Sequence, residues 1–372
     1  MIFRWFESLI DVFKAPPAAA PPTSVTRFYA FYLRQVWPIF VATIVAGFFV
    51  AAIEVALFGF IGRVVDLAKN NPSAAFFSQH WQELSFMVLV VVVARPLCKF
   101  LQDLLINQAI VPHLTNRIRW QNHSYVIRQS LSFFQNDYAG RIANRIMQTG
   151  HALQESTVLI ANTLWYVFVY VASSMALFAH ASLWLALPLV AWILLYIGAL
   201  AVFIPLLKER AWRASAARSK LMGRIVDGYT NVMTLKLFAH HQREEEYVAD
   251  AVAGQSRALA MMTRVTTAMD FTITALNGVL IAGTSGLAVW LWSSGQVSVG
   301  AIVFATGLTI RISNMSGWIM RVVNGVFQDV GRVQDGITSI SQPHSVPDRA
   351  DATTLAVPSG AIHFHNVRFH YG

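Results

Sequence analysis

From Ser156 to Leu207 the sequence runs for 52 residues without Asp, Glu, Lys or Arg. A helix needs about 20 apolar residues to cross the hydrocarbon core of a bilayer, so this run has the length of two spans and a turn. The stretch FAHASLW (178–184) supplies the turn. The same pattern recurs over the 40 uncharged residues from Phe271 to Ile310, where SSGQVSVG (293–300) separates the two arms of a hairpin. A third hairpin precedes both. Its first arm runs from about Val36 to Phe60, and its second begins near Leu84 with LSFMVLVVVVARPLC. The pattern predicts six membrane-spanning helices.

Composition agrees. The AVILMFWYC set makes up 55% of the 372 residues and charged residues 13%, against about 45–50% and 25% in ordinary soluble domains. The start, MIFRWFESLIDVFK, carries Glu7 and Asp11 and has no apolar core followed by a small-residue cleavage site, so it reads as part of the mature chain rather than a signal peptide. Ile2, Phe3, Phe6, Leu9, Ile10 and Phe13 recur there at helical spacing, which predicts a helix lying along the membrane surface. APPAAAPPT (15–23) ends it, because proline lacks the amide donor and restricts the residue before it. The single cysteine, Cys98, has no partner for an intrachain disulfide and reads as a packing residue. Trp5, Trp37, Trp81, Trp184 and Trp292 fall near the predicted membrane edges, where interface anchoring accounts for them.

The net charge of +9 records topology rather than nucleic-acid binding. Segments 99–155 and 208–270 hold sixteen Lys and Arg, whereas the connections at 61–83, 180–183 and 293–300 hold only Arg63 and Lys69. Positive-inside then places both termini and both long segments in the cytoplasm. Each long segment is rich in helix formers, which predicts two helical projections joined by a short cross-piece. Asn136, Asp137 and Gly140 offer the first bend, and VDGYTNVMTLKLFA (226–239) the second.

These features resemble the membrane half of an ATP-binding cassette (ABC) exporter of the half-transporter kind. FFQNDYAGRIANRIMQTG (133–150) is similar to the family's first coupling-helix region, and IVDGYTNVMTLKLFAHHQREEEY (225–247) to its second. GQVSVGAIVFATGLTIRI and FQDVGRVQDGITSI are similar to the family's entry into the sixth span and its exit toward the cassette. The resemblance implies an all-α membrane protein of the type-1 exporter kind, with six transmembrane helices, long cytoplasmic extensions and two coupling helices. It implies an N-terminal elbow region over 1–35, the six-helix domain over 36–340, a linker over 341–360, and the first β-strands of a nucleotide-binding domain over 361–372. Ile362 and Phe364, then Val367, Phe369 and Tyr371, alternate as half-buried strands do, with the phase slipping at Asn366. By resemblance Tyr371 stacks on adenine. GxxxxGK[ST] does not occur, so the chain as given forms no ATPase site and reads as a truncated part of a longer half-transporter that uses ATP and Mg²⁺.

The resemblance also implies a second half-transporter as partner, in a homodimer or heterodimer, in the cytoplasmic membrane. Phe134, Gly140, Arg141, Asp227 and Asn231 are the expected coupling residues, with Gly140 allowing a backbone turn. Glu54 and Arg95 interrupt otherwise apolar helices, and Arg95, Lys99 and Asp103 follow one another at four-residue steps on one side of the second helix. With Arg311 in the last span, Glu54, Arg95 and Lys99 either line the substrate pathway or pair between helices; Arg311, like Arg321, fits snorkelling to headgroups equally well. His363 and His365 share one strand face, but no carboxylate or cysteine accompanies them, so no metal site is expected. Small, lipidic and peptide substrates all suit an apolar cavity with a few charges. A secondary transporter or a membrane scaffold is the alternative reading. The two fifty-residue projections and the terminal strand pattern argue against a secondary transporter, whereas a scaffold could use the projections to dock a partner.

Overall fold

A computed structural model of the protein describes residues 1–17, 20–70, 76–239, 241–346, 351–354, 357 and 359–369. Two short helices, α1 (Ile2–Glu7) and α2 (Val25–Leu33), precede the first long one, α3 (Trp37–Asn70). The remaining long helices are α4 (Phe76–Val126), α6 (Ala139–Ala181), α7 (Leu183–Thr230), α9 (His241–Ser293) and α10 (Val299–Ile340). Two short cross-pieces, α5 (Leu131–Gln135) and α8 (Val232–Leu237), join α4 to α6 and α7 to α9. Among the described residues six helices are thus long and apolar enough to cross a membrane. At 1.5 Å per residue a helix of fifty residues measures about 75 Å, against a hydrocarbon core of about 30 Å. The long helices therefore project well past the bilayer at one end, and both short cross-pieces sit there.

Among the described residues two large apolar cores hold the bundle. In the membrane half, Tyr170, Phe178, Leu189, Trp192, Ile273, Leu280, Phe304 and Leu308 pack α6, α7, α9 and α10 together. In the projecting half, Phe28 and Tyr32 of α2, Ile110, Leu114 and Ile118 of α4, Leu153 of α6, and Val333 and Ile337 of α10 form the second. The Tyr32 hydroxyl, fully buried, donates to Asn122 Oδ1 at 2.5 Å, and burial pushes its pKa up. Large apolar side chains such as Phe49, Phe86, Val92, Leu194 and Phe271 remain exposed around the outside of the spans, as expected where lipid is the solvent. Trp5, Trp37, Trp81, Trp184 and Trp292 are exposed as well, which fits interface anchors.

At the non-projecting end, Asp66 of α3 holds the start of α10. Its carboxylate accepts from the Gly300 amide (2.7 Å) and the Ser298 hydroxyl (2.6 Å), and Ser298 Oγ in turn caps the Ala301 amide (3.1 Å). Deeper in the bilayer, Asn277 of α9 accepts from the Trp192 indole (3.1 Å) and donates to Ser316 Oγ (2.8 Å), tying α7, α9 and α10. π-Helical turns widen α4 over Val90–Ala94 and Leu104–Leu114, and α6 over Leu159–Leu164. Pro96 follows the first and Pro112 lies in the second, where the missing proline amide already breaks the regular hydrogen-bond ladder.

The structure bears on three expectations. The N-terminal helix ends at Glu7, and its apolar stripe is split: Phe6 packs against Ala46, Leu104 and Leu105, and Ile10 enters the projecting core, while Phe3 and Phe13 stay exposed. Phe3 and Phe13 lie edge-on to Phe100 and Trp120 of α4, so the segment lies against that helix rather than presenting one face outward. The first residues of the segment expected as a linker over 341–360 are hydrogen-bonded to the end of α4 and the residues after it. Gln342 O accepts from Tyr125 Oη and Gln129 Nε2, both at 2.8 Å, and the His344 ring stacks on Tyr125 with centroids 4.4 Å apart. Among the described residues 361–369 there is no strand, and Ile362, Phe364, Val367 and Phe369 are all exposed. Asn366 does adopt a left-handed conformation (φ 54°) where the alternation slips.

Candidate functional site: a charged cavity within the spans

A cavity of about 500 Å³ opens between α3, α4, α6 and α10. Glu54, Arg95, Lys99 and Arg311 all line it, so the four residues singled out from the sequence share one site. Glu54 comes from the middle of α3, and its side chain is 16% exposed. Arg95 of α4 donates to Glu54 Oε1 through both Nη2 (2.6 Å) and Nε (3.1 Å). Arg311 of α10 stands 3.8 Å from Glu54 Oε2, and Tyr166 lines the same cavity. Lys99 turns to Asp103 one turn along its own helix, at 2.6 Å. Arg321 does not join them; it is exposed and reaches the Gly317 carbonyl of its own helix.

The uncharged wall was not singled out from the sequence. Gln102 is buried and donates to Asn162 Oδ1 at 2.7 Å, while Thr163, Tyr166, Trp318, Val50 and Pro96 complete the lining. Amides inside an apolar span are a signal of the same kind as charges, because each must find a hydrogen-bond partner. Two of the π-helical turns adjoin this cavity. Val90–Ala94 ends at Arg95, and Leu159–Leu164 carries Asn162. Such turns rotate the following side chains relative to a regular helix and recur at functional sites. A second cavity, also of about 500 Å³, has Val167, Phe168, Met175, Trp192, Tyr196 and Met315 among its lining.

The second candidate region is the projecting tip. Phe133 and Phe134 on α5 pack onto the core that holds α2, α4, α6 and α10. Arg141 pairs with Asp137 at 3.1 Å and lies over the Tyr138 ring. Arg145 donates to both oxygens of Asp335, at 3.0 and 3.1 Å, and so ties this bend to α10. Gly140 makes no backbone turn: it sits in the first turn of α6 with an ordinary helical conformation, and a Cβ there would meet nothing within 4 Å. The bend is made instead by residues 136–138 ahead of it. Asn231 ends α7 by bonding its amide side chain to the Asp227 carbonyl at 2.9 Å. Around it, Tyr229, Met233, Leu237 and Phe238 are all more than half exposed and form an apolar tip, which polar turn formers in the sequence do not signal. Tyr371 lies outside the described residues, as do His240 and His370; the rings of His363 and His365 stack with centroids 6.5 Å apart.

Comparison with known proteins accords with this architecture. A family model described as the ABC transporter transmembrane region matches residues 39–316. An uncharacterized ABC transporter ATP-binding protein of Haemophilus influenzae is 32% identical over 376 residues, covering 100% of this chain and 60% of that protein. An ATM1-type heavy metal exporter of Novosphingobium aromaticivorans is 28% identical over 153 residues, 40% of this chain and 25% of that protein. Among solved structures, a bacterial Atm1-family ABC exporter with ATP bound superposes with a TM-score of 0.63 at 17% identity, over 87% of this chain and 57% of that one. The chain thus spans 60% of its Haemophilus relative's length and a smaller share of the other. With six long helices, two cross-pieces at the projecting end and a family match over most of its length, the chain belongs to the ABC transporter transmembrane region family.

Proposed function

We propose that this chain forms the translocation pathway of an ATP-driven exporter and the surface through which nucleotide-binding domains move it. The observation that carries the pathway is the cavity between α3, α4, α6 and α10. It holds ionisable side chains from three different helices at membrane depth, where such groups are costly and face a cavity or partner. The observation that supports coupling is the pair of tips, Phe134 to Arg141 and Asp227 to Phe238. The second presents exposed apolar side chains at Tyr229, Met233 and Leu237. By this reading Phe134, Gly140, Arg141, Asp227 and Asn231 belong to the contact with the cassettes, and the open space at Gly140 is room for a partner rather than for a turn.

The sequence given holds no GxxxxGK[ST] loop to cradle phosphates, so by this reading the phosphate and Mg²⁺ contacts of the nucleotide come from residues outside it. What the chain supplies is a mechanical element. Ligand at the cassettes shifts the bundle only through different affinity for its inward-open and outward-open states. The domain boundaries follow as 1–35, 36–340, 341–360 and 361–372, with Tyr371 the adenine contact. The partner is a second half-transporter, like or unlike this one. Among the described residues from 205 to 265, only Ala251 is buried, so the paired arms of α7 and α9 carry a long uncovered surface for such a partner. The positive-inside distribution supports the cytoplasmic membrane as the protein's place, with both termini inside.

The test is ATP-dependent uptake into inside-out proteoliposomes by the whole protein with its nucleotide-binding domain, across a panel of small, lipidic and peptide substrates. Accumulation that needs both ATP and an intact Arg95–Glu54 pair supports the reading. ATP hydrolysis that no substrate stimulates, with no accumulation, sinks it.

A further inference from the structure

We propose that the cavity between α3, α4, α6 and α10 takes the anionic group, a phosphate or carboxylate, of an amphiphile, with Arg311 as its principal contact. The proposal rests on the reading that this cavity belongs to the translocation pathway, and it names the chemistry that the cavity selects.

The charge count carries it. Arg95, Lys99 and Arg311 face Glu54 and Asp103, so three cations stand against two carboxylates and one positive charge is in excess. The geometry shows which cation is left over. Glu54 Oε1 is taken by two donors of Arg95, and Lys99 is taken by Asp103 at 2.6 Å. Among the described residues, Arg311 has the Tyr166 phenol in the same cavity and a carboxylate oxygen at 3.8 Å, the latter beyond hydrogen-bond reach. Its side chain is 46% exposed toward the cavity, with N–H donors free to bind a planar or tetrahedral oxyanion. Arg311 lies twelve residues into α10, about 18 Å from its start. At that depth, roughly past the middle of a 30 Å core, an uncompensated charge is expensive. An anionic group completes the set. A cation would have to compete with two guanidinium groups for Glu54, and a neutral headgroup would leave the excess charge as it is. Beside the charges, Val50, Pro96, Trp318 and the Tyr166 ring give an apolar wall for a hydrocarbon chain.

The proposal can be tested by native mass spectrometry of the purified chain released from micelles, with three probes that share one tail: dodecyl phosphate, dodecyltrimethylammonium and dodecyl maltoside. Dodecyl phosphate is expected to give a saturable one-to-one adduct that the other two do not. Arg311→Gln should weaken it by about tenfold or more, the loss of a hydrogen bond between charged groups, whereas Arg311→Lys should retain most of it. Glu54→Gln should tighten it, because the competing carboxylate is gone; a merely structural role for Glu54 predicts weakening. Melting curves on the same variants identify any that have lost the fold, and the Gln and Lys forms of Arg311 then decide between themselves. Phosphatidylglycerol that displaces dodecyl phosphate, where phosphatidylcholine does not, identifies the source as a bilayer lipid. Absence of displacement identifies a free amphiphile. Equal adducts from the three headgroups, preference for the ammonium probe, or weakening by Glu54→Gln overturns the proposal. Failure of the pathway reading looks different: dodecyl phosphate binds as expected, but the whole protein with ATP does not move it into vesicles.

Discussion

Substituting Gly300 by alanine should part α3 from α10 at the non-projecting end of the bundle. A Cβ on Gly300 would lie 2.1 Å from the Gly62 carbonyl oxygen and 2.5 Å from Asp66 Oδ2. The first of these is backbone, so no rotamer change relieves the overlap, and an ordinary carbon–oxygen contact needs the two helices to separate by about 1 Å. Overpacking of this kind costs about 1–3 kcal/mol. The same separation stretches the 2.7 Å bond from the Gly300 amide to the Asp66 carboxylate, and a hydrogen bond to a charged group contributes about 1.5–3 kcal/mol. Together they predict a loss of about 2.5–6 kcal/mol. Gly62→Ala meets the Gly300 carbonyl at 2.7 Å and should cost less. Gly283→Ala, at an exposed position of α9 with nothing within 4 Å, should be neutral or stabilise by up to about 1 kcal/mol through helix propensity. Unfolding free energies from titration with dodecyl sulfate in mixed micelles measure all three. The double variant of Gly62 and Gly300 should cost less than the two singles added, because one methyl already opens the gap the other needs. A Gly300→Ala protein within about 0.5 kcal/mol of the parent, with additive behaviour at Gly62, would refute the close crossing.

Three further expectations concern the projecting end. Arg145→Ala removes the two-pronged contact to Asp335 and should destabilise by about 1–3 kcal/mol, and a double-mutant cycle with Asp335→Ala should return a coupling of about 1 kcal/mol that shrinks in high salt. Cysteines placed at 137 and 231, after Cys98 is replaced, should react only with reagent supplied to the cytoplasmic side, and one at 295 only from outside; reaction of 137 from outside would reverse the proposed orientation. Gly140→Trp should leave melting temperature and membrane yield unchanged, since no neighbour within 4 Å is disturbed, while it lowers transport by the whole protein at unchanged nucleotide affinity. Normal transport by that variant would remove Gly140 from the coupling surface.

The spans were legible because membrane insertion leaves a long-range signature in composition: 52 and 40 residues without a charge need no knowledge of neighbours. The grouping of Glu54, Arg95 and Arg311 was only half legible. Each residue announces itself as a charge in an apolar helix, but sequence spacing cannot say that α3, α4 and α10 bring them within 4 Å, with the first two 41 positions apart. The π-helical turns that aim Arg95 and Asn162 were not legible, since Val90–Ala94 differs in no residue type from a regular apolar helix. The N-terminal stripe predicts too long a helix, because a 3.6-residue repeat does not oblige its members to face one surface. Phe6 and Ile10 each found a different apolar core in the bundle, and tertiary packing outweighed continuation of the helix. At the tips, polar turn formers mark Asn136, Asp137 and Asn231, but turn chemistry carries no sign of the apolar residues that the turns display.

The two ends of the bundle are held by different forces, and this has a consequence for how it can move. Inside the bilayer no hydrophobic effect draws helices together, because lipid is as apolar as leucine; close backbone approach and hydrogen bonds must serve. Gly62 against Gly300, Gly307 against Phe58, and the Asn277 contacts to Trp192 and Ser316 are of that kind. Beyond the bilayer, water restores the hydrophobic effect, and Tyr32, Ile118, Leu153, Val333 and Ile337 bury a core that welds α2, α4, α6 and α10 into one unit. The outer halves of α7 and α9 contribute little to either, yet they continue without interruption into the membrane helices that carry Trp192 and Asn277. Under the proposed arrangement, a push on the apolar tip around Met233 and Leu237 therefore meets little resistance from the rest of the chain and is delivered to the Asn277 contacts. There α10 is bound to the same pair of helices through Ser313 and Ser316, and Arg311 lies on α10 within two turns of both. The charged cavity, which Arg311 lines, is thus linked to such a displacement through α10.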